Sequence, residues 1–162
     1  MIRRIGILSV LAAVLTLAFL APSQAASVHF VRADASGPDA AGNLAVNFKI
    51  AGLGDNQTIT VTASADATAV YACQNNGGNF PSDPKKTAVS GPVSASGDFT
   101  SGKNGQITDS LTLMPPPNTA LTCPGGQHVV LVSVSYTNVA VSAPGAGTEA
   151  IPGTFSRTFF NI

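Results

Sequence analysis

The stretch NLAVNFKI, Asn43–Ile50, alternates without a break: Leu44, Val46, Phe48 and Ile50 share one side, while Ala45, Asn47 and Lys49 share the other. Successive side chains of a strand point to opposite faces, so this period of two predicts a half-buried β-strand. The same pattern recurs along the chain. QTITVTA (Gln57–Ala63) sets Ile59 and Val61 against Thr58, Thr60 and Thr62, and ITDSLTL (Ile107–Leu113) aligns Ile107, Leu111 and Leu113, with Asp109 interrupting the apolar face. The longest run, His128–Val141, places Val130, Val132, Val134 and Tyr136 together, then changes phase after Asn138 to Val139 and Val141. Such a phase change predicts a bulge or a strand that changes partner. SVHFVRA (Ser27–Ala33) and GTFSRTFFNI (Gly153–Ile162) supply the first and last strands.

Between these runs stand turn-forming segments: GLGDNQ, NNGGNFPSDPKK, SGDFTSGKNG, MPPPN and CPGGQ. Gly and Pro recur too often for ten consecutive helical residues, and no window carries an amphipathic helix. Short strands separated by turn signals predict an all-β fold. The expectation is an antiparallel immunoglobulin-like sandwich of about seven or eight strands, forming a single domain over residues 26–162. The chain has no Trp, and both cysteines fall near strand ends, which points to a generic sandwich rather than an antibody-type domain. A weak echo, VTASAD at Val61–Asp66 and VSASGD at Val93–Asp98, reads as shared β-surface composition rather than a repeat.

The N-terminal segment reads differently. Met1–Arg4 is a basic head, Ile5–Leu20 is largely apolar, and APSQA follows with small residues at Ser23 and Ala25. That is the pattern of a secretory signal peptide over residues 1–25. The expected product is exported, secreted or extracellular, with an envelope association left open, and has no membrane span after processing. Beyond residue 25 the chain keeps six basic and eight acidic residues, 6 − 8 = −2. This balance argues against a nucleic-acid partner, which wants clustered Lys and Arg.

Cys73 and Cys123 are the only cysteines, and in an oxidising compartment an even count predicts one disulfide. In YACQNNGGNFPSDPKK (Tyr71–Lys86), a short apolar run reaches Cys73 and then passes into Asn, Gly and Pro. The bridge would staple the base of this loop to a second loop around CPGGQ.

The segments KIAGLGDNQTITVTASADATAVYACQNNGGNFP, NGQIT, CPGGQ and VSVSYTNV together resemble a family of small exported bacterial proteins, actinobacterial in type, of unassigned function. The resemblance spans most of Phe48–Val139 and rests on turn glycines, the two cysteines and strand residues. It implies a secreted β protein and brings no activity with it.

Chemistry-bearing residues are sparse. A Ser-His-Asp arrangement needs an imidazole, and the two available, His29 and His128, have no Gly-x-Ser-x-Gly elbow to serve. Paired carboxylates for glycosidase work would have to come from Glu149, in a loop-like segment, and from aspartates that mostly sit beside Gly, Ser or Asn as turn residues. A terminus beginning at Ser27, after cleavage at Ala26 instead of Ala25, would offer Ser27-Val28-His29 as a copper-binding nitrogen set, but it puts Gln24 where a small residue is preferred. No catalytic residue, metal site or cofactor is expected. The loop after Cys73 is the candidate contact site, through Asn75, Asn76, Phe80, Lys85 and Lys86, since loops on a rigid β scaffold are where such proteins touch partners. The expected function is non-enzymatic surface recognition or adhesion toward an extracellular protein or polysaccharide. The alternative is a secreted inhibitor of a hydrolase or protease presenting the braced loop Gly77–Pro84. A small hydrolase is the third reading.

Overall fold

The computed structural model describes residues 27–162, so the signal-peptide expectation lies outside the described residues. Eight strands follow in order: β1 (His29–Ser36), β2 (Leu44–Ala51), β3 (Thr58–Asn75), β4 (Lys86–Thr100), β5 (Ile107–Leu113), β6 (Gln127–Ala143), β7 (Gly147–Ile151) and β8 (Phe155–Thr158). Among the described residues there is no helix, and so none long and apolar enough to cross a membrane.

The strands form two antiparallel sheets. One is ordered β1-β2-β5; the other is ordered β4-β3-β6-β7, with β8 pairing on β6 beside β7. β7 covers the Val139–Ala143 half of β6 and β8 covers Ser133–Tyr136, so the two act as one edge strand broken at Pro152–Thr154. The expected immunoglobulin-like sandwich is present, with one difference from the antibody constant arrangement: the fourth strand lies beside β3 rather than beside β5.

The core lies between the sheets. The face read from NLAVNFKI is fully buried, with Leu44, Val46, Phe48 and Ile50 at no more than 1% exposure. Against it β3 contributes Val61 and then Ala63, Ala65, Ala67 and Ala69, small residues that leave room for the bulk of β2. Phe48 meets Phe99 of β4 edge-on at 5.1 Å, which ties the first sheet to the far strand of the second. The expected phase change in β6 is a bulge: Ser64 faces Ala140 but Asp66 faces Thr137, and Asn138 adopts a left-handed φ of 52°.

Three expectations are corrected. QTITVTA and the run into Cys73 are not separate pieces but one strand of 18 residues. SGDFT is not a turn; it ends β4, whose pairing with β3 runs unbroken from Thr58–Thr100 to Ala72–Lys86. Glu149 is not in a loop: it sits in β7 opposite Val141, because Gly145 and Gly147, both at positive φ, complete the turn before it.

Candidate recognition end

Chain direction gathers four segments at one end of the sandwich: residues 37–43, 76–85 and 114–126, and the tail after β8. The Cys73–Cys123 bridge joins two of them, with an S–S distance of 2.07 Å and a Cα–Cα distance of 5.5 Å. The loop after Cys73 is bonded as well as stapled. Cys73 N–H donates to Lys85 O at 2.9 Å, Asn75 N–H to Asn79 O at 2.9 Å, and Asn76 N–H to Gly126 O at 3.1 Å. Buried Gln74 sends its side-chain amide to Gly78 O at 2.9 Å. Tyr71 donates its hydroxyl to Pro116 O at 2.7 Å, fixing the proline run to β3, and burial raises its pKa.

Phe80 does not stand free at the loop tip. Its ring meets Phe160 edge-on at 5.2 Å, and the tail is held in turn by Phe159 N–H on Val132 O at 2.8 Å. Arg157 locks the same tail to the first loop, donating to Pro38 O at 3.1 Å while stacking over Phe159 at 5.2 Å. Two open hollows flank Phe160. One, of about 520 Å³, has walls of Val70, Ala88, Val132, Phe160 and Ile162 mixed with the polar Thr87, Thr158 and Asn161, with exposed Lys86 on its rim. The other, of about 420 Å³, is formed by Ala40, Ala41, Val130, Leu131, Phe159 and Phe160. Phe160 and Ile162 remain 37% and 44% exposed, so this apolar surface is open to solvent.

The structure therefore brings two of the five loop residues to one place: Phe80 through Phe160, and Lys86 directly. Asn75 ends β3 opposite Gln127, and its backbone is committed to the loop; Asn76 lies at the crown, exposed. Neither side-chain amide has a partner among the described residues. Lys85 gives its carbonyl to Cys73 and its side chain to solvent. The tail aromatics and Val132 are the residues that sequence reading missed. The doubled Phe159-Phe160 after a short strand was the available signal.

The histidines lie at opposite ends. His29 opens β1, with Nδ1 2.7 Å from Ser27 O, and lines a cleft with Leu53, Asp55 and Lys103; His128 is exposed at the disulfide end, opposite Gln74. Asp109 stays exposed on β5, an edge strand of its sheet. Among the described residues no three His, Cys, Asp or Glu side chains gather as metal ligands.

Comparison with known proteins finds no matching family model, no similar curated protein and no matching solved structure.

Proposed function

We propose that the protein is an exported, non-enzymatic β-sandwich that works by recognition at its disulfide-braced end, toward an extracellular protein or polysaccharide. The observation that carries this reading is the pair of hollows around Phe160, with Lys86 at the rim and the exposed Asn76 amide at the loop crown. Apolar walls with a few polar groups on a fixed scaffold are the makings of a binding surface. Export is supported by the basic and apolar N-terminal pattern, by a cysteine pair suited to an oxidising compartment, and by the resemblance to small exported bacterial proteins. An inhibitor would offer Phe80 to its target; the packing of that ring on Phe160 favours recognition by the hollows instead.

Fractionation of a native culture with intact-mass measurement tests location and cleavage together. Purified protein incubated with cells, peptidoglycan, chitin and cellulose should be retained on at least one of them. Phe160→Asp and Lys86→Glu should release it without unfolding the sandwich. Protein that stays wholly in the medium and binds none of these overturns the reading. Stoichiometric inhibition of a protease, lost in Phe80→Ala, would install the inhibitor in its place.

A further inference from the structure

β4 has a partner on one side only. Over its 15 residues it pairs with β3 without a register shift, and among the described residues no hydrogen bond reaches its other edge. The direction of the backbone groups follows from the neighbouring strand. Thr62 O and Asp66 O on β3 receive side-chain hydroxyls from Ser142 and Thr137 of β6, so the even-numbered groups of β3 face β6. Its odd-numbered groups face β4, as in the Cys73 N–H to Lys85 O bond. Directly opposed residues in an antiparallel pair share one bonding class, so β4 turns its odd-numbered groups to β3 and its even-numbered groups outward. Pro92 falls in the outward set, where its missing N–H removes nothing from the β3–β4 ladder. The open edge thus presents the backbone groups of Ala88, Ser90, Ser94, Ser96 and Asp98.

Edge strands of monomeric proteins are usually short, bulged, covered, charged along their length or interrupted by Pro. β4 is long and unbulged, and Pro92 closes a single outward position of it. Its charges are confined to Lys86 near one end and Asp98 near the other.

We infer that this edge is where two copies of the chain associate, β4 against β4, antiparallel about a two-fold axis at Val93. The two five-stranded sheets then continue into one. Centring on Val93 overlaps the full strand: Lys86 faces the partner's Thr100, Ser90 faces the partner's Ser96, and the Pro92 carbonyl accepts from the partner's Ser94 N–H. Centring on Pro92 would oppose two prolines and lose both central bonds. The charge pattern selects a second copy over an unrelated strand. With one cation and one anion at opposite ends, antiparallel self-pairing sets each Lys86 diagonal to the partner's Asp98, at roughly 7–8 Å between backbone positions, within reach of a lysine side chain. On the inner side, Gly91, where a Cβ would meet nothing within 4 Å, and Ala95 leave room for the two facing Val93 side chains.

Sedimentation equilibrium on the disulfide-bonded protein should show a concentration-dependent dimer. Ser94→Pro, which removes one outward N–H per copy, should weaken it on the order of tenfold or more. Asp98→Lys should weaken it roughly tenfold at low salt, and Lys86→Asp combined with Asp98→Lys should restore it. The two positions lie too far apart on one strand to meet within a monomer, and the Thr60–Asp98 hydrogen bond is lost in both variants. Rescue therefore reports contact between copies. Amide exchange supplies a second readout: Ser90, Ser94 and Ser96 should gain protection only on concentration, while Val89, Val93 and Ala95 stay protected throughout. A single monomeric species up to ~1 mM overturns the inference. So does a dimer indifferent to both Ser94→Pro and the charge swap, one whose protection falls on another strand, or an edge occupied by a foreign peptide.

Discussion

Tyr136 carries a hydroxyl into the middle of the core, at 0% exposure, and the surrounding backbone is arranged to receive it. Its O–H donates to Gly42 O at 2.8 Å, and Leu113 O lies at 3.4 Å. One side chain of the second sheet thereby holds the entry to β2 and the exit of β5. Gly42 is fitted to this role: it is buried at a φ of 90°, and a Cβ there would stand 2.6 Å from the Leu131 side chain. The turn before it is closed by Asp39, whose carboxylate accepts from Ala41 N–H at 2.8 Å and Asn43 N–H at 2.9 Å. Removing the tyrosine hydroxyl leaves a buried carbonyl without its donor while preserving nearly all the packing. Tyr136→Phe should therefore lower unfolding free energy by about 1–3 kcal/mol in urea titration, with an unchanged m-value. A loss near zero would mean that water reaches Gly42 O and that the hydroxyl is not structural.

Loops acquire their definition here from single residues that bridge elements. At the end opposite the disulfide, buried Ser101 accepts from Gln57 N–H at 2.9 Å and donates to Gly54 O at 2.7 Å, joining the β2–β3 and β4–β5 connections. Ser101→Ala should cost roughly 1–2 kcal/mol, since Gln57 is exposed and water can take part of the load, and amide exchange should rise at Gln57 first. At the other end, the bridge closes a separation of 50 residues, worth ~4 kcal/mol in the chain-entropy account. Reduction should lower the denaturation midpoint accordingly and expose residues 76–85 to proteolysis while β2, β3 and β6 stay protected. Equal protection of that loop in both redox states would show that its hydrogen bonds suffice without the sulfurs. The strands with one dry face were legible in the sequence, β2 most plainly, because burial forces strict alternation. β4 was not. Its inner positions include Gly91, Ala95 and Gly97 and are only half buried, and Gly91-Pro92 imitates a turn while serving as edge residues. The loop's Phe80 and Lys86 were legible as candidates from composition. Their surroundings were not, because Phe160 and Val132 reach them only through tertiary folding.

Across the whole molecule, charge contributes little to holding the fold together. Charged residues make up 10% of the chain, and the ion pair among the described residues, Arg32–Asp34 at 2.6 Å, joins side chains 69% and 44% exposed. Exposed pairs of this kind are worth little and are screened by salt. Stability near neutrality should therefore depend weakly on ionic strength, leaving the ends of the pH range to a few identifiable groups. Burial first, then the Asp39 carboxylate and Tyr71, holds the Tyr136 phenol far above its ordinary value, and burial raises Tyr71 too. Above about pH 10 an unfolded tyrosine gives up its proton while the folded one keeps it, so the unfolded state binds fewer protons and stability falls as pH rises. Below that value both states are protonated and the tyrosines add no slope. Asp39 works in the opposite sense: the backbone N–H of Asn43 foremost holds its carboxyl below the ordinary range, so its contribution is present at neutrality and lost as pH falls through the folded value. Urea midpoints should accordingly form a plateau from about pH 5 to 9 and drop on the alkaline side, with a shallower alkaline limb in Tyr136→Phe by up to about 1.4 kcal/mol per pH unit. The same limb in wild type and variant would locate the alkaline sensitivity elsewhere and deny the buried phenol its part in the fold.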